Sequence, residues 1–109
     1  MTVTVHRGTH QIGGCVTDLR TKTTRILIDL GSPLPGPEGA VPEENLVIPG
    51  VTAPGEPCHG VFFTHTHSDH MGQIGQILPI VPLWMTERAR DVALACPAAA
   101  LERVNTFRP

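Results

Sequence analysis

Four side chains able to bind a metal fall within six positions of this sequence: His65, His67, Asp69 and His70, in the order HxHxDH. Imidazole and carboxylate donors together suit zinc, and also manganese or iron. His65 and His67 lie two apart, so an extended segment turns both to the same side, where they can grip one ion. Asp69 and His70 follow directly and can reach a second ion a few ångströms away. Two such ions would activate a water and clamp developing negative charge, which is the chemistry of hydrolysis. Clustered imidazoles repel when protonated, and nothing about packing gathers them beside an apolar strand. Metal coordination explains the cluster and would hold the rings neutral. Ser68 reads as a turn residue, because no histidine stands in an evident triad with it.

The elements around this cluster are legible. The run Gly60-Val61-Phe62-Phe63 is apolar and β-prone and reads as a strand that delivers the loop. Met71, Ile74, Ile77 and Leu78 recur near helical spacing after it, and Pro79 ends that helix. Val81 to Met85 is a short strand, parallel to the preceding one because a helix intervenes. Thr86 predicts an N-cap, with Glu87 in the first turn of a helix whose apolar face is Ala89, Val92, Ala93 and Cys96. Pro97 interrupts it. Leu101 and Val104 continue an apolar stripe, and no closing strand is evident before Pro109.

Upstream, Val3 and Val5 alternate with Thr2, Thr4 and His6, the period of a strand with one buried face. Residues 15–19 and 25–31 read as two more strands, joined by a polar turn, so residues 3–29 form an antiparallel meander. From Gly31 to Gly60 the chain is dense in proline and glycine, and regular structure should not persist there. This 31–60 loop is either a surface excursion or a wall facing substrate. Glu43 to Ile48 is its one candidate for a short helix or extended patch.

Composition bounds the rest. At 109 residues the chain holds one domain or part of one, and 40% apolar with 17% charged residues excludes a disordered tail. A net charge of −2 gives no general attraction to nucleic acid, although it does not preclude a locally positive groove. Cys15, Cys58 and Cys96 fit no zinc-finger or CxxC spacing, and their odd number points away from a disulfide framework. No signal-like leader and no run of about 20 apolar residues is seen, so no membrane association and a cytoplasmic location are expected. Of the remaining histidines, His10 reads as a loop or rim residue and His59 as a solvent-exposed one. Cys15 reads as a small buried residue at a strand start.

The HxHxDH run after an apolar strand resembles the signature of the metallo-β-lactamase superfamily of metallohydrolases. Asp29, closing Ile26-Leu27-Ile28-Asp29, resembles that superfamily's earlier aspartate, which implies that it orients the histidine loop by hydrogen bonds without binding metal. The turn Gly8-Thr9-His10-Gln11-Ile12-Gly13-Gly14-Cys15, with Leu30-Gly31, is similar to the ribonuclease J and cleavage-factor branch. The resemblance implies an α/β (α+β) fold, the N-terminal half of an αββα sandwich, over residues 1–109. It implies that His65 and His67 help hold a first zinc, and that Asp69 and His70 help hold a second. Asp69 would also contact the hydrolytic water, and the parent activity would be phosphodiester hydrolysis of RNA. The family's later ligands are a histidine, a bridging aspartate and another histidine. No histidine follows His70 here, and Asp91 sits in a helix at the wrong distance for the bridging role. The expectation is therefore a metal-dependent hydrolase fragment, incomplete alone, that needs a C-terminal half or a homodimer partner to cover its open sheet. Two other readings use the same residues: hydrolysis of a thioester, lactone or β-lactam, and a non-catalytic metal-binding or assembly module.

Overall fold

The computed structural model describes residues 1–7, 14–32, 47–64, 66–93 and 99–108; within these, the side chains of Arg7, Ser68, Asp69, Ala99 and Ala100 are not described. It is a small mixed α/β domain built on a six-stranded sheet whose strands lie side by side in chain order. The strands are β1 (Thr2–Arg7), β2 (Val16–Arg20), β3 (Arg25–Ile28), β4 (Gly60–Phe62), β5 (Leu83–Thr86) and β6 (Val104–Phe107). The first three pair antiparallel, as the meander predicts. From β3 onward every pairing is parallel, including the expected parallel pairing of β4 with β5.

Because β3, β4, β5 and β6 run the same way, their C-terminal ends share one rim of the sheet. Asp29, the histidine loop, Glu87 and Arg108 all follow those ends. In open α/β sheets ligands bind outside this edge.

The core lies on one face. Val16, Leu27, Val61, Leu83, Met85 and Val104 point into it and are buried. They are met by Leu30, Ile48, Val51, Met71, Ile74, Ile77 and Ala93 from the connecting segments. On the opposite face Leu19, Ile26, Ile28, Phe62 and Trp84 are only half-buried. The register explains Val3 and Val5: Val3 pairs with Leu19 and Val5 with Thr17, so both belong to this second face. They are 54% and 42% exposed, against the expectation that they mark the buried side of β1. The polar side of β1 is the side that turns toward the core layer, where His6 meets Asp18.

Other expectations are corrected by geometry. Instead of one helix after the histidine loop there is a single α turn, α1 (Ser68–Met71), followed by a separate 3-10 turn at Ile74–Gln76. Gly72 and Gly75 interrupt any longer helix, in keeping with the poor intrinsic helicity of glycine. Ile74 and Ile77 nonetheless reach the core, so their spacing reports burial without a helix. The helix α2 (Glu87–Ala93) begins where predicted: the Ala89 amide donates to Thr86 Oγ1 at 3.1 Å, and Glu87 occupies the first turn. Ala93 is buried, but Val92 is 57% exposed and is not part of the apolar face. Cys96 and Pro97 lie outside the described residues. The stripe Leu101 and Val104 is not one helix. A 3-10 turn at Ala99–Arg103 leads into β6, the closing strand the sequence did not reveal.

The second part of the 31–60 loop sends some residues into the core while residues 54–57 stay exposed. Ile48 and Val51 are buried in the core, and the Val51 carbonyl accepts from the Leu78 amide at 2.8 Å. Gly50 has φ +84°, and a Cβ there would lie 1.7 Å from the Glu56 carbonyl oxygen. Only glycine fits that turn. The first part, including Glu43, lies outside the described residues.

Candidate metal centre

The site is built at the ends of β3 and β4. After Ile28 the backbone of Asp29 turns left-handed, with φ 62°, the one such non-glycine residue among those described. Aspartate tolerates this region better than most residues because its short side chain can hydrogen-bond locally. The turn sends the Asp29 carboxylate across to the neighbouring strand end. There Oδ1 accepts from the Thr64 amide at 2.7 Å, and Oδ2 accepts from the Thr64 hydroxyl at 2.7 Å. The same Oδ2 accepts from His70 Nδ1 at 2.8 Å. Asp29 is buried, at 4% exposure, so these bonds satisfy a carboxylate that would otherwise be costly to desolvate.

Backbone bonds reinforce the arrangement. The Asp29 amide donates to the Phe62 carbonyl at 2.9 Å, and the Leu30 amide to the His70 carbonyl at 2.8 Å. The Gln73 amide returns to the Leu30 carbonyl at 2.9 Å. Within the loop, the amides of His70 and Met71 both donate to the His67 carbonyl, which closes the α1 turn. Residues 29–30 thus hold the segment 62–73 at both its ends and its middle.

The tautomer of His70 follows from this contact. A carboxylate accepts only, so Nδ1 carries the proton in this bond, and Nε2 is the nitrogen through which a metal would be held. His67 is exposed on the same rim. His65 and the side chain of Asp69 lie outside the described residues, as does His10. Among the described residues no three His, Cys, Asp or Glu side chains form a metal-sized group. The donors that are described fit a metal in their chemistry: an imidazole oriented through one nitrogen by a buried carboxylate is the usual outer support of a metal-binding histidine.

Thr64 is the residue that the sequence reading missed. Its hydroxyl lies 2.7 Å from Asp29 Oδ2 and 3.4 Å from His70 Nδ1, so it sits between the two. The signal was present: a hydroxyl residue at a strand exit, immediately before the histidines.

A second polar cluster was also missed, on the core side of β2 and β3. Asp18 is fully buried and accepts from Arg25 Nη2 at 2.9 Å, from Arg20 Nη2 at 3.1 Å and from His6 Nε2 at 3.1 Å. Burial pushes its carboxyl up, but the bonds from Arg25, Arg20 and His6 outweigh this and hold it at about 2. Arg25, itself buried, donates through Nη1 to the carbonyls of Pro49 and Glu56, each at 2.7 Å. It therefore clamps the 47–58 segment to the sheet. Arg20 also pairs with Glu56. This cluster lies at the N-terminal end of β3, the far end from Asp29, and is structural. His59 is exposed as expected, yet its Nδ1 accepts from the Arg25 amide at 3.0 Å. Cys15 is half-buried rather than buried, and the buried Cys58 donates to the Gly60 carbonyl at 3.4 Å. Burial pushes the Cys58 thiol up.

No helix among the described residues is long and apolar enough to cross a membrane. No family model matches the chain, and no curated protein matches it. Among solved structures, it is similar to a crystal structure of a protein of unknown function from Enterococcus faecalis V583, with a TM-score of 0.69 and 19% identity. The match covers 98% of this chain and 33% of that one, so the chain spans about a third of the length of the structure it resembles. At that identity the likeness is one of fold.

Proposed function

We propose that this chain carries the metal-holding part of a metal-dependent hydrolase. The observation that carries the reading is the Asp29 carboxylate, turned by a left-handed residue onto Thr64 and His70 Nδ1. A buried carboxylate and a strained backbone position are both spent on orienting one histidine, at the sheet edge where α/β proteins bind ligands. A core histidine needs no such support.

In this reading His65 and His67 hold a first zinc, and Asp69 and His70 a second, with manganese or iron as the other metals that suit the donors. The metal supplies Lewis acidity and activates water. The chain's own residues do the rest. Asp29 fixes the ring of His70 through Nδ1 and Thr64 holds Asp29 in place, while the resemblance gives Asp69 the contact to the hydrolytic water. The reaction is hydrolysis of a phosphodiester, with RNA as the substrate class.

The second apolar sheet face supports the further reading that the catalytic unit is larger than this chain. Leu19, Ile26, Ile28, Phe62 and Trp84 line it together with the exposed Val3 and Val5. A contiguous apolar surface of this kind marks an interface.

The test is metal content and phosphodiesterase activity of the purified protein, beside His67→Ala and Asp69→Asn variants. Zinc bound in a ratio that both variants lower, with hydrolysis of a phosphodiester and not of a thioester or lactone, is the expected result. No metal uptake under any of these conditions would overturn the reading.

A further inference from the structure

A second hollow opens on the rim that carries the histidine loop. It has a volume of about 430 Å³ and is lined by Thr86, Glu87, Arg88, Phe107 and Arg108. These are the residues that follow the C-terminal ends of β5 and β6, strands that pair in register Thr86 with Phe107. The volume falls within the range of about 300–1,000 Å³ common to small-ligand sites.

Its chemistry is specific. Arg88 is exposed and makes no ion pair among the described residues. Arg108 is 84% exposed and donates through Nε to Glu87 at 2.6 Å, leaving both of its terminal amino groups toward solvent. The lining thus carries two guanidinium groups against one carboxylate. Phe107 is 39% exposed beside them. Its ring stands edge-on to Phe62, with centroids 6.3 Å apart, and Phe62 in turn stacks on Trp84 at 6.2 Å. A partly exposed aromatic ring, supported from behind by two others and flanked by guanidinium groups, matches what a base and its phosphate require. An acidic peptide would use the cations and leave the ring idle.

We propose that this hollow binds one nucleotide of a single-stranded nucleic acid, with the base on Phe107 and the phosphate on Arg88 and Arg108. Phe62 lies two residues before Thr64, so the strand that backs this ring is the strand that ends in the histidine loop. As a substrate subsite the hollow rests on the hydrolase reading. As a binding site it stands apart from it, because no metal ligand takes part.

The experiment is fluorescence anisotropy of a labelled eight-nucleotide oligouridylate on the purified protein in EDTA, with uridine monophosphate, inorganic phosphate and a polyglutamate peptide as competitors. Arg88→Glu and Phe107→Ala are each expected to weaken binding at least about fivefold, and Arg88→Glu also to flatten the salt dependence. Phe107→Leu keeps the packing on Phe62 and loses the ring face, so it should weaken binding too, with an unchanged circular dichroism spectrum. Lys22→Ala, in the β2–β3 turn, should bind as the parent does. Uridine monophosphate should compete better than inorganic phosphate. Absence of oligonucleotide binding, binding indifferent to the Arg88 and Phe107 variants, or equal displacement by polyglutamate would each overturn the proposal. Oligonucleotide binding by a protein that takes up no metal would refute the hydrolase reading and leave this one standing, while metal uptake without oligonucleotide binding would do the reverse.

Discussion

Asp29 Oδ2 and His70 Nδ1 are 41 positions apart in the chain and 2.8 Å apart in space. The contact joins the end of β3 to the α1 turn after β4, and it decides which nitrogen of His70 is available to a metal. Replacing Asp29 with Asn keeps a residue that tolerates the left-handed turn and removes only the charge and one acceptor. Zinc affinity is expected to fall about 10- to 100-fold, the usual cost of losing the outer support of a metal-binding histidine. Competition against a chromophoric chelator measures it.

Thr64 offers a finer test of the same geometry. Thr64→Val removes the hydroxyl that Asp29 Oδ2 accepts and leaves the amide bond to Oδ1 intact. A loss of about 1 kcal/mol in stability is expected from one hydrogen bond, with Thr64→Ser restoring it. Urea midpoints of the three proteins decide the matter.

The buried Asp18 makes stability depend on acid. Its carboxyl is lowered from 3.8 to about 2 in the folded state, so the unfolded chain takes up the proton first as pH falls. The stabilisation is present in full above the unfolded value and disappears as pH drops through about 2. It amounts to roughly 2 kcal/mol at neutral pH, an order-of-magnitude figure from the shift. Asp18→Asn should lose it at pH 7, and the difference from the parent should shrink as pH falls from about 5 toward 2. Denaturant titrations across that range read both effects.

Arg25→Met should be more damaging than Asp18→Asn. It takes the one fully buried cation from Asp18, leaving that carboxylate only the more exposed Arg20 and His6, and frees the carbonyls of Pro49 and Glu56 from their clamp. A loss of about 3–5 kcal/mol is expected for breaking such a pair from one side. Faster proteolysis within residues 47–58 would mark the released segment.

The thiols should separate by reactivity. Cys58 is buried and its thiol is pushed up, so it should resist alkylation until the chain unfolds. Half-buried Cys15 should label in the native state. Peptide mapping after a short iodoacetamide pulse distinguishes the two.

Local pattern was a good guide wherever one strand or one cap carried the information. The β2–β3 hairpin, the strand that delivers the histidines, the parallel partner after it and the Thr86 cap could all be read from periodicity and residue type. The pattern misled where burial depends on a neighbour. Val3 and Val5 alternate as a core-facing pair would, but pairing register with β2 assigns them to the other face. Ile74 and Ile77 are spaced as on a helix, yet glycines break the helix and the residues reach the core from a tight turn. Asp18 and Arg25 occupy inward positions of β2 and β3, and their pairing went unread because it depends on which face each strand turns to the core.

By itself the sequence determined the donors: three imidazoles and a carboxylate in six positions after an apolar strand, a composition that has metal chemistry as its simplest cause. Tertiary structure decided how one of them, His70, is held. Hydrogen bonds between Asp29, Thr64 and His70 arise only when two parallel strand ends lie side by side, and strand pairing across a long connection leaves no local trace in the chain. The same holds for the nucleotide-sized hollow, whose walls come from two strand ends that become neighbours only when β6 pairs with β5.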